Sequence, residues 1–396
     1  MNVYMTRQPI FDQNGSVYAY EIPYRGSGED SVSADDIPNP FLGLDIQKLS
    51  GSAKALVNFS EELLLYGAPK RISPEILAVG VSESVFAAEG VADEIRELKK
   101  RGYMIVLDGF VYSNSETDLF DLADLVKIDI KAPQKMLEET SSACRSANKP
   151  MFAENVETQY DAEYAKKLGC AYMRGYYFAR PPIASGGGVQ PLPVNLMKVM
   201  QLMAQPEPEI GDIVDVMSRD TAMCQKILRL INSVYFGMSN KVSSINQAIL
   251  ILGLDYLREW VYLMGMQKIT QNDNMEVMKL ALLLAKFCRG LSELIPDAAD
   301  KGESFYLMGL LSMIVFSSER ALAQALDEFP LANDIKKGLL RRGGIYSDVF
   351  EMALAYIDGN WEEFDDVAAK YNIGSDGICE LFAQCAQEVE KLNLVE

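Results

Sequence analysis

The 396-residue sequence contains no histidine. Histidine is the general base of Ser-His-Asp and Cys-His catalysis, and it is a frequent ligand of zinc and iron. Those classes of catalytic and metal site are therefore excluded. Any catalysis by this chain must depend on carboxylates, lysine, tyrosine or cysteine.

Long apolar runs and paired cysteines are also missing. Even the run from Leu307 to Phe316 is far too short to span a lipid bilayer. The first residues carry no charged lead followed by an apolar stretch, so we expect no signal peptide. The six cysteines form no C-x-x-C pair, which favours reduced thiols over a disulfide framework. These absences predict a cytoplasmic protein that does not enter the membrane.

Basic residues are outnumbered, with 37 lysines and arginines against 56 acidic residues and a net charge of −19. A surface of that sign repels the phosphate backbone, so we expect no nucleic-acid partner. The hydrophobic fraction of 49% is ordinary for a globular protein. The length allows two domains, each with its own core.

The first half of the chain alternates short β-rich runs with helical stretches up to about residue 182. Asn14-Gly15 predicts a hairpin between the first two strands. The recurring strand–helix unit predicts right-handed crossovers and a parallel sheet. The number of strands favours a (β/α) barrel of the TIM type over a small open sheet, although periodicity alone does not decide closure.

The second half is helical throughout and shows no convincing strand. It follows a glycine-rich run at 185–192, which lacks the Gly-Lys-Ser/Thr of a phosphate-binding loop and so predicts a linker. We therefore predict an α/β barrel at 1–184, a linker at 185–192 and an all-α domain at 193–396.

Polar side chains close five of the predicted strands. The carboxyl ends of barrel strands share one rim, where the chemistry of such folds is located. A set of carboxylates with an amide and a lysine predicts a magnesium or manganese site that acts on a phosphate ester. The alternative for any single residue is that it only caps the following helix. The residues are Glu21, Asn58, Asp108, Lys127 with Asp129, and Glu154.

Several segments of this half resemble the EAL domain family. Residues 18–25 resemble its opening strand, and 57–60 resemble its metal-binding asparagine segment. Lys-Ile-Asp at 127–129 and Ala-Glu-Asn-Val-Glu at 153–157 are similar to two further family elements. EAL domains are barrels that hydrolyse cyclic di-GMP with two divalent metal ions.

The resemblance implies a role for each matching position. The implied metal ligands are Glu21, Asn58, Asp108, Asp129 and Glu154, the catalytic positions are Lys127 and Glu157, and the nucleotide phosphates would be contacted by Arg25 and by Arg174.

Four departures from the family pattern bear on activity. Gly80 and Gly109 replace two acidic metal ligands, Arg174 replaces a glutamine, and Glu-Ile-Pro at 21–23 replaces Glu-Ala-Leu. The segment between Glu21 and Asn58 is also short for the family. Two dications held close together need anionic ligands, so we expect the losses to abolish useful hydrolysis. The chain is then predicted not to be an enzyme: it needs no cofactor, binds magnesium or manganese weakly at most, and keeps its site residues as vestiges.

The second half resembles the HDOD domain, a helical relative of the HD phosphohydrolases that lacks their metal-binding His-Asp pair. The matching segments are 218–221, 228–233 and 242–249. The resemblance implies a regulatory module. We predict a bacterial signalling protein that acts as a scaffold through a protein partner, with self-association left open. The alternatives are a receptor that binds cyclic di-GMP without cleaving it, and a weak metal-dependent phosphodiesterase.

Overall fold

The computed structural model describes most of the chain as two compact units. One unit comprises 1–179 with Glu351–Glu388, and the other comprises 180–350 with 389–396. The predicted linker at 185–192 lies outside the described residues. The sequence predicts one helical domain over 193–396, whereas the structure groups Glu351–Glu388 with the barrel. The described residues are 4–25, 44–110, 118–179, 193–203, 205, 208–232, 241–270, 275–315, 326, 331–374 and 377–391.

A closed barrel forms the centre of the first unit. Its strands follow the order β10-β2-β3-β5-β6-β7-β8-β9, and β1 and β4 form a separate antiparallel pair. β2 runs antiparallel to both of its neighbours, and the other strand pairs of the barrel are parallel. The predicted barrel is confirmed. The strands are β1 (Tyr4–Met5), β2 (Gln8–Asp12), β3 (Val17–Glu21), β4 (Tyr24–Arg25), β5 (Lys54–Asn58), β6 (Leu77–Ser82), β7 (Met104–Asp108), β8 (Leu125–Asp129), β9 (Met151–Glu154) and β10 (Tyr172–Met173).

Helices connect the barrel strands, build the second unit and form the C-terminal segment that belongs to the first unit. Those before residue 180 are α1 (Leu44–Ser50), α2 (Glu61–Leu65), α3 (Glu83–Phe86), α4 (Val91–Lys100), α5 (Asp118–Leu122), α6 (Gln134–Ser146), α7 (Gln159–Leu168) and α8 (Tyr176–Ala179). Those after it are α9 (Val194–Met203), α10 (Ile210–Ser218), α11 (Thr221–Ile231), α12 (Ile245–Leu252), α13 (Leu254–Thr270), α14 (Met275–Glu293), α15 (Gly302–Val315), α16 (Asn333–Leu339), α17 (Ile345–Asp358), α18 (Trp361–Ala369) and α19 (Ile378–Lys391).

The second half contains only helices within its described residues, as predicted. α14 and α15 pack with their backbones close together, because a Cβ at Gly309 would lie 2.5 Å from the Leu284 carbonyl oxygen. Across the described ranges, no helix is both long enough and apolar enough to cross a lipid bilayer.

The barrel interior follows the period of two along each strand. One buried layer consists of a single residue from each of seven strands. Side chains two positions apart on a strand point to the same face. On the parallel strands β3 and β5–β9, residues two positions further on therefore also face the interior, one layer nearer the carboxyl rim. Leu56 is thus followed by Asn58, and Val106 by Asp108. The layer consists of Ile10, Ala19, Leu56, Ala78, Val106, Leu125 and Phe152.

The loop after β9 is held by the first turn of α7. Thr158 and Asp161 form a capping box, in which each side chain accepts the other residue's backbone N–H. Burial raises the pKa of Asp161, but hydrogen bonds from Lys131 and from Thr158 outweigh it and lower that pKa to about 2. The carboxylate therefore stays ionised and fixes the backbone just beyond Glu154.

The segment from Tyr356 to Asp365 packs on β1 through an aromatic cluster. The Tyr4 ring stacks on Trp361 with centroids 5.4 Å apart, and meets Tyr356 and Phe364 edge-on at 5.8 and 5.5 Å. The Tyr4 hydroxyl donates to Asp365 at 2.6 Å. The barrel unit therefore depends on residues far beyond its own predicted boundary.

Replacing Tyr356 should destabilise the barrel. Its side chain is fully buried, so Tyr356→Ala leaves a cavity beside Tyr4, with an expected cost of about 3–5 kcal/mol. Denaturant unfolding of the full chain measures this, and Tyr160→Ala, at a residue that is 73% exposed, should cost far less. Equal stability of the two variants would contradict a structural role for the C-terminal segment.

Candidate functional site

Three carboxylates converge on one buried ammonium at the carboxyl rim of the barrel. Lys127 Nζ lies 3.0 Å from Glu21 Oε1, 3.0 Å from Asp108 Oδ1 and 2.9 Å from Glu154 Oε2. The side chains of Lys127 and Glu21 are only 5% exposed. We call Glu21, Asp108 and Glu154 the carboxylate cluster. Its members end β3, β7 and β9, and Lys127 lies in β8, so the barrel itself brings them together.

Asn58 joins the cluster through its amide nitrogen. Nδ2 donates to Glu21 Oε1 at 3.2 Å and to Asp108 Oδ2 at 2.8 Å. Its Oδ1 is buried and accepts no hydrogen bond. A Cβ at Gly80, on the neighbouring strand, would lie 1.9 Å from that oxygen. Asn58 thus fills space that any side chain at position 80 would need.

Gly109 is the other glycine that replaces an acidic ligand of the family pattern, and the space around it differs from that around Gly80. The φ of Gly109 is +66°, and a Cβ there would meet nothing within 4 Å. Aspartate is among the residues that tolerate the left-handed region best. Position 109 therefore has room for an acidic side chain, whereas position 80 has none unless Asn58 moves.

Arg174 supplies a second cation to the cluster. Its Nη1 lies 2.7 Å from Glu21 Oε2, and its Nη2 lies 2.8 Å from Glu154 Oε2. Nη1 also donates to Gln8 Oε1. Glu21 Oε2 is close to this charge but accepts no hydrogen bond, and the contact is an ion pair. The guanidinium therefore bridges two members of the cluster.

The backbone around Arg174 directs its side chain. The Arg174 N–H donates to the Ala153 carbonyl at 2.8 Å, and its carbonyl accepts from Val156 N at 3.0 Å. A Cβ at Gly175 would lie 2.1 Å from the Val156 carbonyl oxygen, so only glycine allows this approach. Arg174 is thereby anchored to the strand that carries Glu154.

Opposite charges shift the ionisation of the cluster. Burial raises the pKa of Glu21, but Arg174 and Lys127 outweigh it and hold that pKa below its usual range. Burial alone would lower the pKa of Lys127, yet the three carboxylates raise it above its ordinary value. Burial raises the pKa of Glu154 above its usual range despite both cations. Glu21 and Lys127 are therefore held charged, and Glu154 takes up a proton more readily.

Three predicted site residues lie outside the cluster. Asp129 Oδ1 accepts from the Lys131 backbone N–H at 2.9 Å, as a turn residue does. Glu157 lies 3.5 Å from the Lys131 ammonium. Arg25 pairs with Asp365 at 2.8 Å. The metal-ligand role implied for Asp129 and the catalytic role implied for Glu157 therefore stay predictions, and in this structure both side chains make the contacts given above.

Two functional contacts were not predicted from the sequence. Gln8 holds Arg174, and the signal for it is the strand register, since Gln8 pairs directly with Glu21 across β2 and β3. Asp365 holds Arg25, and no motif in the sequence indicates that pairing.

The donor chemistry of the cluster suits a divalent cation. Its ligand atoms are all oxygens, which magnesium and manganese prefer, and Asn58 Oδ1 is a buried acceptor without a donor. However, among the described residues no three or more acidic or cysteine side chains are arranged to hold a metal ion. Lys127 stands where the carboxylates meet, and Arg174 bridges two of them. The donors fit one divalent cation, provided that these ion pairs rearrange.

Removing the central ammonium should destabilise the protein strongly. Lys127→Met leaves buried carboxylates without their shared partner, and breaking such pairs costs about 3–5 kcal/mol. The pKa of Glu21 is lowered in the folded protein, so its stabilisation is present above the ordinary value of 4.5 and is lost as pH falls further. The free energy of unfolding that Lys127→Met lacks relative to the wild type should therefore become smaller as the pH falls below 4.5.

Denaturant unfolding at several pH values measures that difference. Lys135→Met, at a side chain that is 88% exposed, is the matched control and should change little. A deficit that grew as the pH fell would contradict the ion-pair assignment.

A methyl group at Gly80 should displace Asn58. Gly80→Ala is expected to break the hydrogen bonds of Asn58 to Glu21 and Asp108, with a cost of about 1–3 kcal/mol. Gly211→Ala is the control, because a Cβ at this helical glycine meets nothing within 4 Å. It should be neutral or stabilising by about 0.5–1 kcal/mol. Thermal unfolding of both variants measures the two effects, and equal stability of Gly80→Ala and Gly211→Ala would contradict the displacement of Asn58.

Comparison with known proteins places both halves of the chain in families. The EAL domain model matches residues 41–181, and the HDOD domain model matches residues 189–316. YuxH of Bacillus subtilis, an uncharacterized protein, is 28% identical over 381 residues, which cover 91% of this chain and 92% of YuxH. The cyclic di-GMP phosphodiesterase CdgJ of Vibrio cholerae is 27% identical over 371 residues, covering 91% of this chain and 86% of CdgJ.

Solved structures match part of this chain at low similarity. A Klebsiella pneumoniae protein, solved as a manganese and cyclic di-GMP complex, is 16% identical. The match covers 44% of this chain and 55% of that one, with a TM-score of 0.36.

The prediction that the chain is not an enzyme is wrong. CdgJ, which aligns with 91% of this chain, is a cyclic di-GMP phosphodiesterase. The departures at Gly80, Gly109 and Arg174 therefore do not establish a loss of catalysis. With its two domain matches in this order, the chain belongs to the EAL–HDOD signalling proteins, which are related to cyclic di-GMP phosphodiesterases.

Proposed function

We propose that this protein binds cyclic di-GMP at the carboxyl rim of its barrel and hydrolyses it with a divalent cation. The observation that carries the proposal is the convergence of Glu21, Asp108 and Glu154 on Lys127, with Asn58 bonded to two of them. These groups sit where a barrel enzyme performs its chemistry. The relationship to CdgJ supports the choice of substrate.

The cluster residues have distinct roles in this proposal. A divalent cation bound by Glu21, Asn58, Asp108 and Glu154 would lower the pKa of a bound water and polarise a phosphate ester. Lys127 keeps the carboxylates together and offsets the charge of the substrate.

Two arginines are proposed as contacts to the nucleotide phosphates. Arg25 is 41% exposed and is held by Asp365, so it is reachable from solvent and already positioned. Arg174 lies beside the cluster and carries a planar fork that suits phosphate oxygens. Arg25 and Arg174 both belong to the barrel unit.

The HDOD half is proposed to be regulatory, acting through a protein partner. The whole sequence has no histidine, so this half cannot use a His-Asp metal pair. We retain 1–184 as the EAL domain and 193 onward as the start of the helical domain. We place the protein in the cytoplasm, because its cysteines form no disulfide.

Hydrolysis is tested by chromatography of cyclic di-GMP incubated with the full chain and manganese. We expect a linear dinucleotide product that requires the metal. Glu21→Gln removes a proposed ligand and should lower the rate by about 100-fold or more. Glu138→Gln, on the exposed face of α6, should leave the rate unchanged. Intact nucleotide under all metal conditions would overturn the proposal.

Nucleotide binding is tested separately through thermal stability. A ligand that binds only the folded state raises the free energy of unfolding, by about 2.7 kcal/mol when its concentration is 100 times Kd. The melting temperature rises accordingly. Arg25→Ala should reduce the stabilisation by cyclic di-GMP, whereas Arg96→Ala, on α4, should not. An undiminished shift in Arg25→Ala would remove Arg25 from the binding site.

A further inference from the structure

The charges in the cluster are already close to balance. Three carboxylates face two cations, Lys127 and Arg174. A dication added to this arrangement would give four positive charges against three negative ones in a largely buried site. If Arg174 withdrew, Lys127 and the dication would balance the three carboxylates. Charge balance therefore allows Arg174 or a metal ion, but not both.

The oxygens that a metal would need are the ones that Arg174 occupies. Arg174 lies against Glu21 Oε2 and Glu154 Oε2. The other oxygen of Glu21 already accepts from Lys127 and Asn58. A metal ion can therefore gain an unshared carboxylate oxygen of Glu21 only where the guanidinium now lies.

Arg174 is the more easily displaced of the two cations. Its side chain is 16% exposed, compared with 5% for Lys127. Lys127 contacts all three carboxylates from within a barrel strand, whereas Arg174 follows β10, which has only two residues. A long, flexible side chain near solvent can leave without unfolding the barrel.

We propose that Arg174 is an internal cation that competes with a divalent metal ion for Glu21 and Glu154, so that metal binds only when Arg174 is displaced. The inference rests on the proposed metal-dependent function and specifies what controls it. Arg174 is thus a positioning residue that sets the metal affinity of the site.

The experiment is calorimetric titration of manganese alone into the full-length wild type and its variants, without nucleotide. Arg174→Gln should bind manganese at least about tenfold more tightly, because a repelling charge is gone. Arg174→Lys keeps the charge and should stay near wild type. Arg96→Gln, whose ion pairs lie on α4 and with Asp118, is the control for loss of any arginine.

Two calorimetric outcomes would overturn the proposal. One is equal manganese affinity of wild type and Arg174→Gln, and the other is a gain in Arg174→Lys as large as in Arg174→Gln. Circular dichroism checks that each variant is folded before titration.

A measurement on the wild type covers the case in which Arg174→Gln does not fold. The Nε–H signal of Arg174, identified by its loss in Arg174→Lys, is followed by NMR during magnesium addition. We expect it to shift as the metal binds. Metal binding detected by heat with an unchanged signal would contradict displacement.

Hydrolysis measured in parallel separates this inference from the proposed function. Metal-dependent product with equal metal dependence in wild type and Arg174→Gln would keep the function and refute the competition. Tighter manganese binding by Arg174→Gln without any product would keep the competition and refute the function.

Discussion

The ion pairs of Lys127 are the constraint on which the site depends. Transferring an ammonium and three carboxylates out of water is costly, and only close mutual contact offsets it. The barrel provides that contact, because β3, β7, β8 and β9 end at the same rim and Lys127 reaches each partner within 3.0 Å. Any change in one member, or the arrival of a further cation, must be compensated within the same group.

Much of this arrangement could be predicted from the sequence because strands repeat with a period of two. Glu21, Asn58, Asp108 and Glu154 each follow an interior apolar residue by two positions, so their inward direction follows from the strand pattern. Asp129 lies two positions beyond the interior Lys127 and so has the same strand parity, yet its carboxylate accepts a local backbone N–H. A turn beginning at the end of the strand offers that nearer partner, and the pattern does not distinguish the two outcomes.

The unpredicted features are contacts between segments distant in sequence. Tyr4 and Arg25 both reach Asp365, a separation of more than three hundred residues, and no local pattern reports such a pair. The orientation of Arg174 is of the same kind, since it depends on Gln8 of the adjacent strand β2 and on the tight approach of Gly175 to Val156. The sequence indicates that these residues are polar or aromatic, but not which partner each one has.

The expectation of lost catalysis, which the relationship to CdgJ overturns, assumed a site that must hold two dications. Gly80 and Gly109 lower the negative charge relative to the family pattern, and Arg174 lowers it further, so two dications are no longer matched by this site. One dication is matched if Arg174 moves aside, since Lys127 and the metal then equal the three carboxylates. In the proposed function, the same substitutions that remove ligands would therefore leave a site for one divalent cation. Asn58, which fills the space beside Gly80, keeps the remaining donors packed together.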